Sequence, residues 1–342
     1  MDNLIQRLNK LLHSNMDLVD NQQHPNGSPL NIALRDLANI KWNIKTLGTE
    51  LAGLLYKQRL VRNWDAPGVH GLGWRCSTQA DIESQWSEYW CERLKIAPLY
   101  HRKVWELGYV LQVLHEHGML VSGKRGIGFG CGEEPLPSLF SSIGIRVTVT
   151  DLPPIDAGAR GWIDTSQHTS TLDKCFKEHL CTRDEFDRHV DLRYVDMTSI
   201  PDDLDGQYDF CWSICAFEHL GSIQAGQDFV ANSIRTLKPG GIAVHTTEFN
   251  FAYEDKTIDT WPTVLFRRKD LMAIKERLVA AGCQLPPINL DVGSNVLDRF
   301  IDIPPFPHQP EYMGIGLEPR AHLKVSVDGF PATCVGLVAV RP

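Results

Sequence analysis

The 342 residues are 43% hydrophobic and 22% charged, a balance that suits a globular chain with a sizeable core and excludes collagen-like and largely disordered architectures. A formal net charge of −8, with no long Lys/Arg run, argues against nucleic acid as a partner. The nine cysteines form no Cys-x-x-Cys unit and no basic, apolar, small-residue leader precedes them, so reduced thiols in the cytoplasm are expected; no run of about 20 apolar residues could span a membrane.

Leu4, Leu8 and Leu11 stand at helical spacing before the turn-forming residues 21–28. A longer helix is expected over residues 30–60, where Leu30, Leu34, Leu37, Ile44, Leu47, Leu51 and Leu54 recur in steps of mostly three and four. Such a stripe calls for burial, either on the chain's own body or in a coiled coil with a second copy; Lys41 and Gly48 interrupt it. The Gly-, Pro- and Asp-rich residues 63–74 mark a boundary between a helical N-terminal region, residues 1–62, and a catalytic body, residues 75–342.

Trp86, Trp90 and Leu94, then Val104, Leu107, Val110, Leu111 and Leu114, predict two helices. Beyond them strand-like runs at 145–150, 191–195, 208–214 and 241–246 alternate with helical patterns, which reads as an α/β fold with a parallel sheet and helices on both faces. Residues 322–327 and 333–340 flank Asp328, Gly329 and Pro331 and predict a closing antiparallel hairpin. No internal repeat or low-complexity tract is evident.

The chemistry is signalled by residues 126–132, where Gly126, Gly128, Gly130 and Gly132 alternate with Ile127, Phe129 and Cys131 before a helix-like stretch. Glycines at a strand-to-helix turn let the backbone approach a ligand closely. Asp151, followed by Leu152, ends the next strand about 20 residues on, where an acid can accept hydrogen bonds from two ribose hydroxyls. A dinucleotide would use the same geometry, but Glu133 and Glu134 sit at the helix start, where they suit the helix dipole and repel a diphosphate. A sulfonium cofactor without phosphate tolerates them. Asp196 and Met197 follow a further strand and suit an adenine amine and ring; Asp196 would serve equally as a cap before Thr198 and Ser199.

In this order the glycine turn, Asp151, Asp196-Met197, the strand 208–213 ending in Ser213, residues 216–221 and Lys238-Pro239-Gly240-Gly241 resemble the class I S-adenosylmethionine-dependent methyltransferase family over roughly residues 99–341. The resemblance implies a Rossmann-like seven-stranded sheet closed by an antiparallel hairpin, and S-adenosylmethionine held by Gly128, Phe129, Gly130, Gly132, Asp151, Leu152, Asp196, Met197 and Ser213. One departure stands out: the family carries an acid two residues before its first motif glycine, and here that residue is Gly126, so capture of the methionyl amine must come partly from elsewhere. Residues 128–137, together with 101–106 upstream, also resemble a subgroup found among bacterial surface-glycan assembly enzymes. For Arg102 and Lys103 this suggests contact with the cofactor carboxylate or an anionic substrate, as against a solvated helix face.

Methyl transfer is an in-line displacement that depends on holding the acceptor behind the methyl group, and a hydroxyl acceptor must also lose its proton. Residues after the fourth strand of this fold line the acceptor side, which puts Glu218 and His219 in reach, as against a pair that only supports the loop. His245, Glu248 and Asn250 follow or end the fifth and could serve base chemistry or substrate binding, as against a purely structural network; their spacing does not support a metal site, and none is expected. Asp302, Pro304, Pro305, Phe306 and Tyr312 suggest a loop over the cleft, as against a solvated proline-rich connection. The sequence therefore points to a methyltransferase acting on an acceptor hydroxyl, on a sugar or glycan intermediate; methylation of another small molecule at oxygen or nitrogen, and a non-catalytic scaffold that keeps the cofactor fold, stay open, with NAD-dependent oxidation more distant. The N-terminal helices leave homo-oligomerisation open as well.

Overall fold

The computed structural model describes residues 16–20, 22–60, 62–153, 171–306 and 321–342. The first predicted helix, Leu4 to Leu11, and Tyr312 lie outside them. Five strands run parallel at the centre: β2 (Arg125–Phe129), β3 (Arg146–Asp151), β4 (Val190–Tyr194), β5 (Tyr208–Ile214) and β6 (Leu237–Asn250). The antiparallel β10 (Phe330–Val340) lies against β6, followed by β1 (Trp74–Cys76) and β7 (Ile288–Asn289), giving the order β4-β3-β2-β5-β6-β10-β1-β7. The expected mixed α/β sheet is present, with two differences at its closing edge. The partner of β10 in the hairpin, β9 (Lys324–Val327), reaches only residues 330–333, because it is four residues long against eleven. The middle of β10 is instead taken by β1, from before the glycine turn, through Arg75 opposite Gly336 and Cys76 opposite Val335. The short β8 (Ile301–Asp302) pairs with β9.

Strand alternation sorts side chains onto two helical layers. Over one face lie α5 (Arg102–Glu116), packed across β10, β6 and β5, and α6 (Leu136–Ile143), packed on β3; α4 (Gln85–Leu94) packs on α5, and α7 (Arg183–His189) on α6. Over the other lie α8 (Ile223–Ser233) and α9 (Arg268–Ala280). The short α3 (Gln79–Ile82) leads into α4. Burial of Trp86, Trp105 and Tyr109 on one side and Phe129, Phe217 and Phe229 on the other fills the two cores; loss of one such ring costs about 3–5 kcal/mol. Close approach of α5 to the sheet needs Gly336, where a Cβ would come within 2.1 Å of the Tyr109 ring.

The N-terminal region departs from the predicted stripe. The helix is broken into α1 (Pro29–Leu34), started by the side chain of Ser28, and α2 (Leu37–Gln58). The face of α2 that meets the body is Lys45, Gly48 and Ala52, with Leu51 and Leu55 beside it. Gly48, expected to be an interruption, is the point of closest approach: the Phe300 ring occupies the space where its Cβ would stand, 2.1 Å away. Lys45 reaches Asp302 at 2.8 Å, and Asp302 also binds His322 at 2.7 Å, so this part of the expected cleft loop anchors the helix instead. Leu30, Leu34, Leu37, Leu47 and Leu54 are left exposed, at 38–69%. No helix among the described residues is long and apolar enough to cross a membrane.

Candidate functional site

The turn after β2 opens at the carboxyl ends of the parallel strands, where ligands bind in open α/β sheets. Gly130 and Gly132 have φ of +61° and +52°, values that side chains with a Cβ rarely adopt, and they fold the chain back so that the Cys131 amide donates to the Thr150 carbonyl at 3.1 Å. Asp151, 8% exposed, accepts from the Gly132 amide at 3.3 Å and from Leu152 at 2.9 Å. A Cβ on Gly130 would meet Ala216 at 2.9 Å and the Met197 sulfur at 3.4 Å, so Met197 and the residue chain after β5 border the turn. An acid at the end of β3, a thioether beside the glycines and Glu133 and Glu134 directly before α6 fit a nucleoside sulfonium and not a diphosphate.

Other expected cofactor contacts lie elsewhere. Phe129 is buried, its ring edge-on to Phe229 of α8, so only its backbone borders the turn. Ser213 is also buried, bonded to His245 Nδ1 at 2.8 Å, and does not face the turn. The Asp196 carboxylate accepts from the Thr198 amide at 2.8 Å and hydroxyl at 2.7 Å, the cap arrangement anticipated as its alternative. Gly128 stands under the Trp212 ring and the Cys131 sulfur, each 2.3 Å from where its Cβ would be.

On the acceptor side, β6 alternation separates the predicted residues. His245 and its cross-strand neighbour Ser213 point to the α8 face, where His245 bonds Ser233 through Nε2 at 3.0 Å and lies against Phe229. Both ring nitrogens are engaged, and burial pushes the ring's pKa down to about 3, so His245 is a core residue and not the base expected of it. Asn250 is likewise corrected: its carbonyl oxygen accepts from Ala252 and Tyr253 and its amide donates to Lys256, which holds the loop after β6. His219 bonds Thr263 at 3.0 Å and approaches the Pro262 carbonyl at 3.3 Å; burial lowers its pKa to about 4, far from the neutral range in which a histidine base works best.

Thr246 and Glu248 point to the α5 face and meet Arg102, Lys103 and Glu106 from the first turns of that helix. Arg102 pairs with Glu248 while its Nε stays buried without a partner. Glu106, fully buried, accepts from Thr246 and from the Cys334 thiol, each at 3.0 Å. Burial works to raise its pKa, but the Lys103 ammonium and Arg102 guanidinium hold it below the ordinary value. Among the described residues, Glu106, Cys215 and Cys334 bring three ligand atoms within 4.8 Å of one another, as a metal would require, although Lys103 and Arg102 already supply counter-charge to Glu106. Cys215, directly after β5, has φ of +45°, an uncommon conformation for a residue with a Cβ.

Glu218 stands at the strand ends, within electrostatic reach of Lys103 and Glu106. It is fully buried, accepts from the Thr247 hydroxyl at 3.1 Å through Oε2, and leaves Oε1 without a partner. Burial raises its pKa to about 7, partly opposed by its own backbone amide and by the Lys103 ammonium. Glu106, Cys215 and Cys334 were not anticipated from sequence. Glu106 carries a detectable signal, since it lies on the same helix face as Arg102 and is flanked by Trp105 and Tyr109; Cys334 has none, because only the pairing of β10 with β6 brings it here.

A family model described as a methyltransferase domain matches residues 107–285, just over half of the chain. No curated protein matches the sequence. Among solved structures the chain is similar to a phosphoethanolamine N-methyltransferase from Haemonchus contortus, with 17% identity over 49% of this chain and 31% of that one at a TM-score of 0.31. It is also similar to S-adenosylmethionine-dependent methyltransferases from Methanosarcina mazei, with 12% identity over 67% and 96% of the two chains at a TM-score of 0.40, and from Aquifex aeolicus, with 16% identity over 68% and 89% at 0.35. The chain spans 31% to 58% of the length of three structures that it matches. The family match runs from the middle of α5 through the glycine turn and strands β5 and β6, and the chain belongs to the class I S-adenosylmethionine-dependent methyltransferase family, with S-adenosylmethionine as its cofactor.

Proposed function

We propose that this enzyme transfers the methyl group to a hydroxyl of a sugar or glycan intermediate, with Glu218 as the general base. The observation that carries the proposal is the unpartnered Oε1 of a fully buried carboxylate whose pKa is raised to about 7. A base works best with a pKa near the operating pH, and an acceptor hydroxyl is the donor this oxygen lacks. When bound, S-adenosylmethionine supplies a methyl carbon made electrophilic by its sulfonium. Glu218 Oε1 would take the acceptor O–H proton during transfer of that methyl group to the acceptor oxygen, so that the methylated product is neutral. Arg102 and Glu248 orient acceptor hydroxyls, one as donor and one as acceptor; the unpaired Arg102 Nε supports this role. A polar acceptor suits a floor made of carboxylates, threonines and a guanidinium, and a glycan is further supported by the resemblance of residues 128–137 and 101–106 to enzymes of surface-glycan assembly.

The test is a radiolabelled methyl-transfer screen that begins with nucleotide sugars and lipid-linked glycans, followed by Glu218→Gln on any acceptor found. A loss of about 10²–10⁴ in kcat, with S-adenosylhomocysteine binding intact, is expected. Labelling of amines only, or a Gln variant with wild-type kcat, would overturn the hydroxyl assignment. The exposed leucine face of α1 and α2 supports self-association; Leu47→Glu with Leu54→Glu should then reduce the mass seen by light scattering. Nine free cysteines support a reducing compartment, the cytoplasm.

A further inference from the structure

The missing acid at position 126 leaves the methionyl ammonium of the cofactor without its usual counter-charge, and the structure shows why no acid fits there. A Cβ on Gly126 would lie 2.4 Å from the Phe210 ring, which is fixed edge-on against Phe140 at 5.4 Å and beside Trp212 at 5.9 Å. Phe210 and Trp212 thus cover the backbone of Gly126 and Gly128, their cross-strand neighbours. The same Trp212 reaches past the strand and donates its indole N–H to Glu134 Oε2 at 3.0 Å. A tight turn, closed by the Glu134 amide on the Cys131 carbonyl at 3.2 Å, holds Glu134 beside the glycines.

We infer that Glu134, positioned by Trp212, takes over the binding of the cofactor's α-ammonium group. Its Oε1 has no hydrogen-bond partner among the described residues. The charged groups that act on it are Lys103, Glu106 and Asp151. Asp151 belongs to the ribose end of the site, and Lys103 and Glu106 to the acceptor floor, so Glu134 stands in the interval that the amino-acid arm of the cofactor must cross. Lys103 is half-exposed and bound to Glu106 at 3.4 Å, and does not neutralise Glu134 directly. The inference rests on the assignment of the cofactor. It also has a titration consequence: burial raises the Glu134 pKa to about 8, against opposing contributions from Trp212 and Lys103, so the carboxyl is largely protonated at pH 7 until an ammonium arrives and displaces the proton.

Calorimetric titration of the wild-type protein and Glu134→Gln with S-adenosylhomocysteine and with 5′-methylthioadenosine, which lacks the amino-acid arm, tests the inference. The Gln side chain still accepts from Trp212, so the turn is preserved. Expected are a tenfold or greater loss of S-adenosylhomocysteine affinity, 5′-methylthioadenosine affinity within twofold of wild type, and loss of the proton release seen when wild-type binding is measured in buffers of different ionisation enthalpy. Equal weakening of both ligands would assign Glu134 to support of the turn, and unchanged affinity for both would remove it from the site; either overturns the inference while leaving the cofactor in place. Wild-type protein that binds neither nucleoside would overturn the cofactor assignment and this inference with it.

Discussion

Replacing Glu218 by Gln should change the pH dependence of stability as well as turnover, and the two readouts share one cause. The carboxyl is fully buried and its pKa moves from 4.5 to about 7 because burial disfavours the charged form. Between those values the folded chain binds more protons at this site than the unfolded chain does, so its contribution to stability is whole below pH 4.5 and is lost as pH rises to about 7. At 1.36 kcal/mol per unit, the loss amounts to about 3 kcal/mol, after which the contribution is flat. The Gln variant has no such term. Urea unfolding at intervals from pH 4.5 to 8 should therefore show the stability of the variant relative to wild type rising by about 3 kcal/mol across that range. Wild-type kcat/KM, limited by the ionised base, should climb through the same interval with a midpoint near 7. A stability difference that stays constant with pH would refute the desolvated-carboxylate argument, and a turnover midpoint near 4.5 would place the proton transfer on an ordinary solvated acid.

The docking face of α2 can be tested with one substitution at two sites. Gly53→Ala meets nothing within 4 Å and should raise stability by up to about 1 kcal/mol through helix propensity, whereas Gly48→Ala must displace the Phe300 ring and should lower it by about 1–2 kcal/mol in thermal unfolding. Equal shifts at the two sites would mean that α2 does not dock on this face. His245→Ala should cost about 2–4 kcal/mol, since it opens a space between Phe217 and Phe229 and strands the hydroxyls of Ser213 and Ser233, while kcat of the folded fraction stays within about twofold; a hundredfold drop in kcat would restore it to the chemistry. Asp151→Ala should weaken S-adenosylhomocysteine at least tenfold in calorimetry, and unchanged binding would show that ribose recognition lies elsewhere.

The sequence by itself determined the order of the central elements, because hydrophobic periodicity and turn residues are local properties: the strand predicted at 208–214 is β5, and the glycine turn and Asp151 lie at the strand ends where their spacing puts them. It also marked Glu218 as a candidate, since residues after the fourth strand of this fold border the acceptor. What it did not decide was direction and distance across the sheet. His245 and Thr246 are adjacent in sequence yet face opposite helical layers, and only the register of β6 with β5 tells which one meets Glu106. The leucine stripe of α2 looked like the buried face because apolar residues usually are; the docking face is the one with Gly48, since backbone-close packing on Phe300 needs the smallest residue and the Lys45 to Asp302 pair fixes the rotation of the helix. Likewise β1, Cys334 and Glu134 take their positions from partners distant in sequence, at Gly336, Glu106 and Trp212, and contacts of that kind are set by the tertiary structure alone.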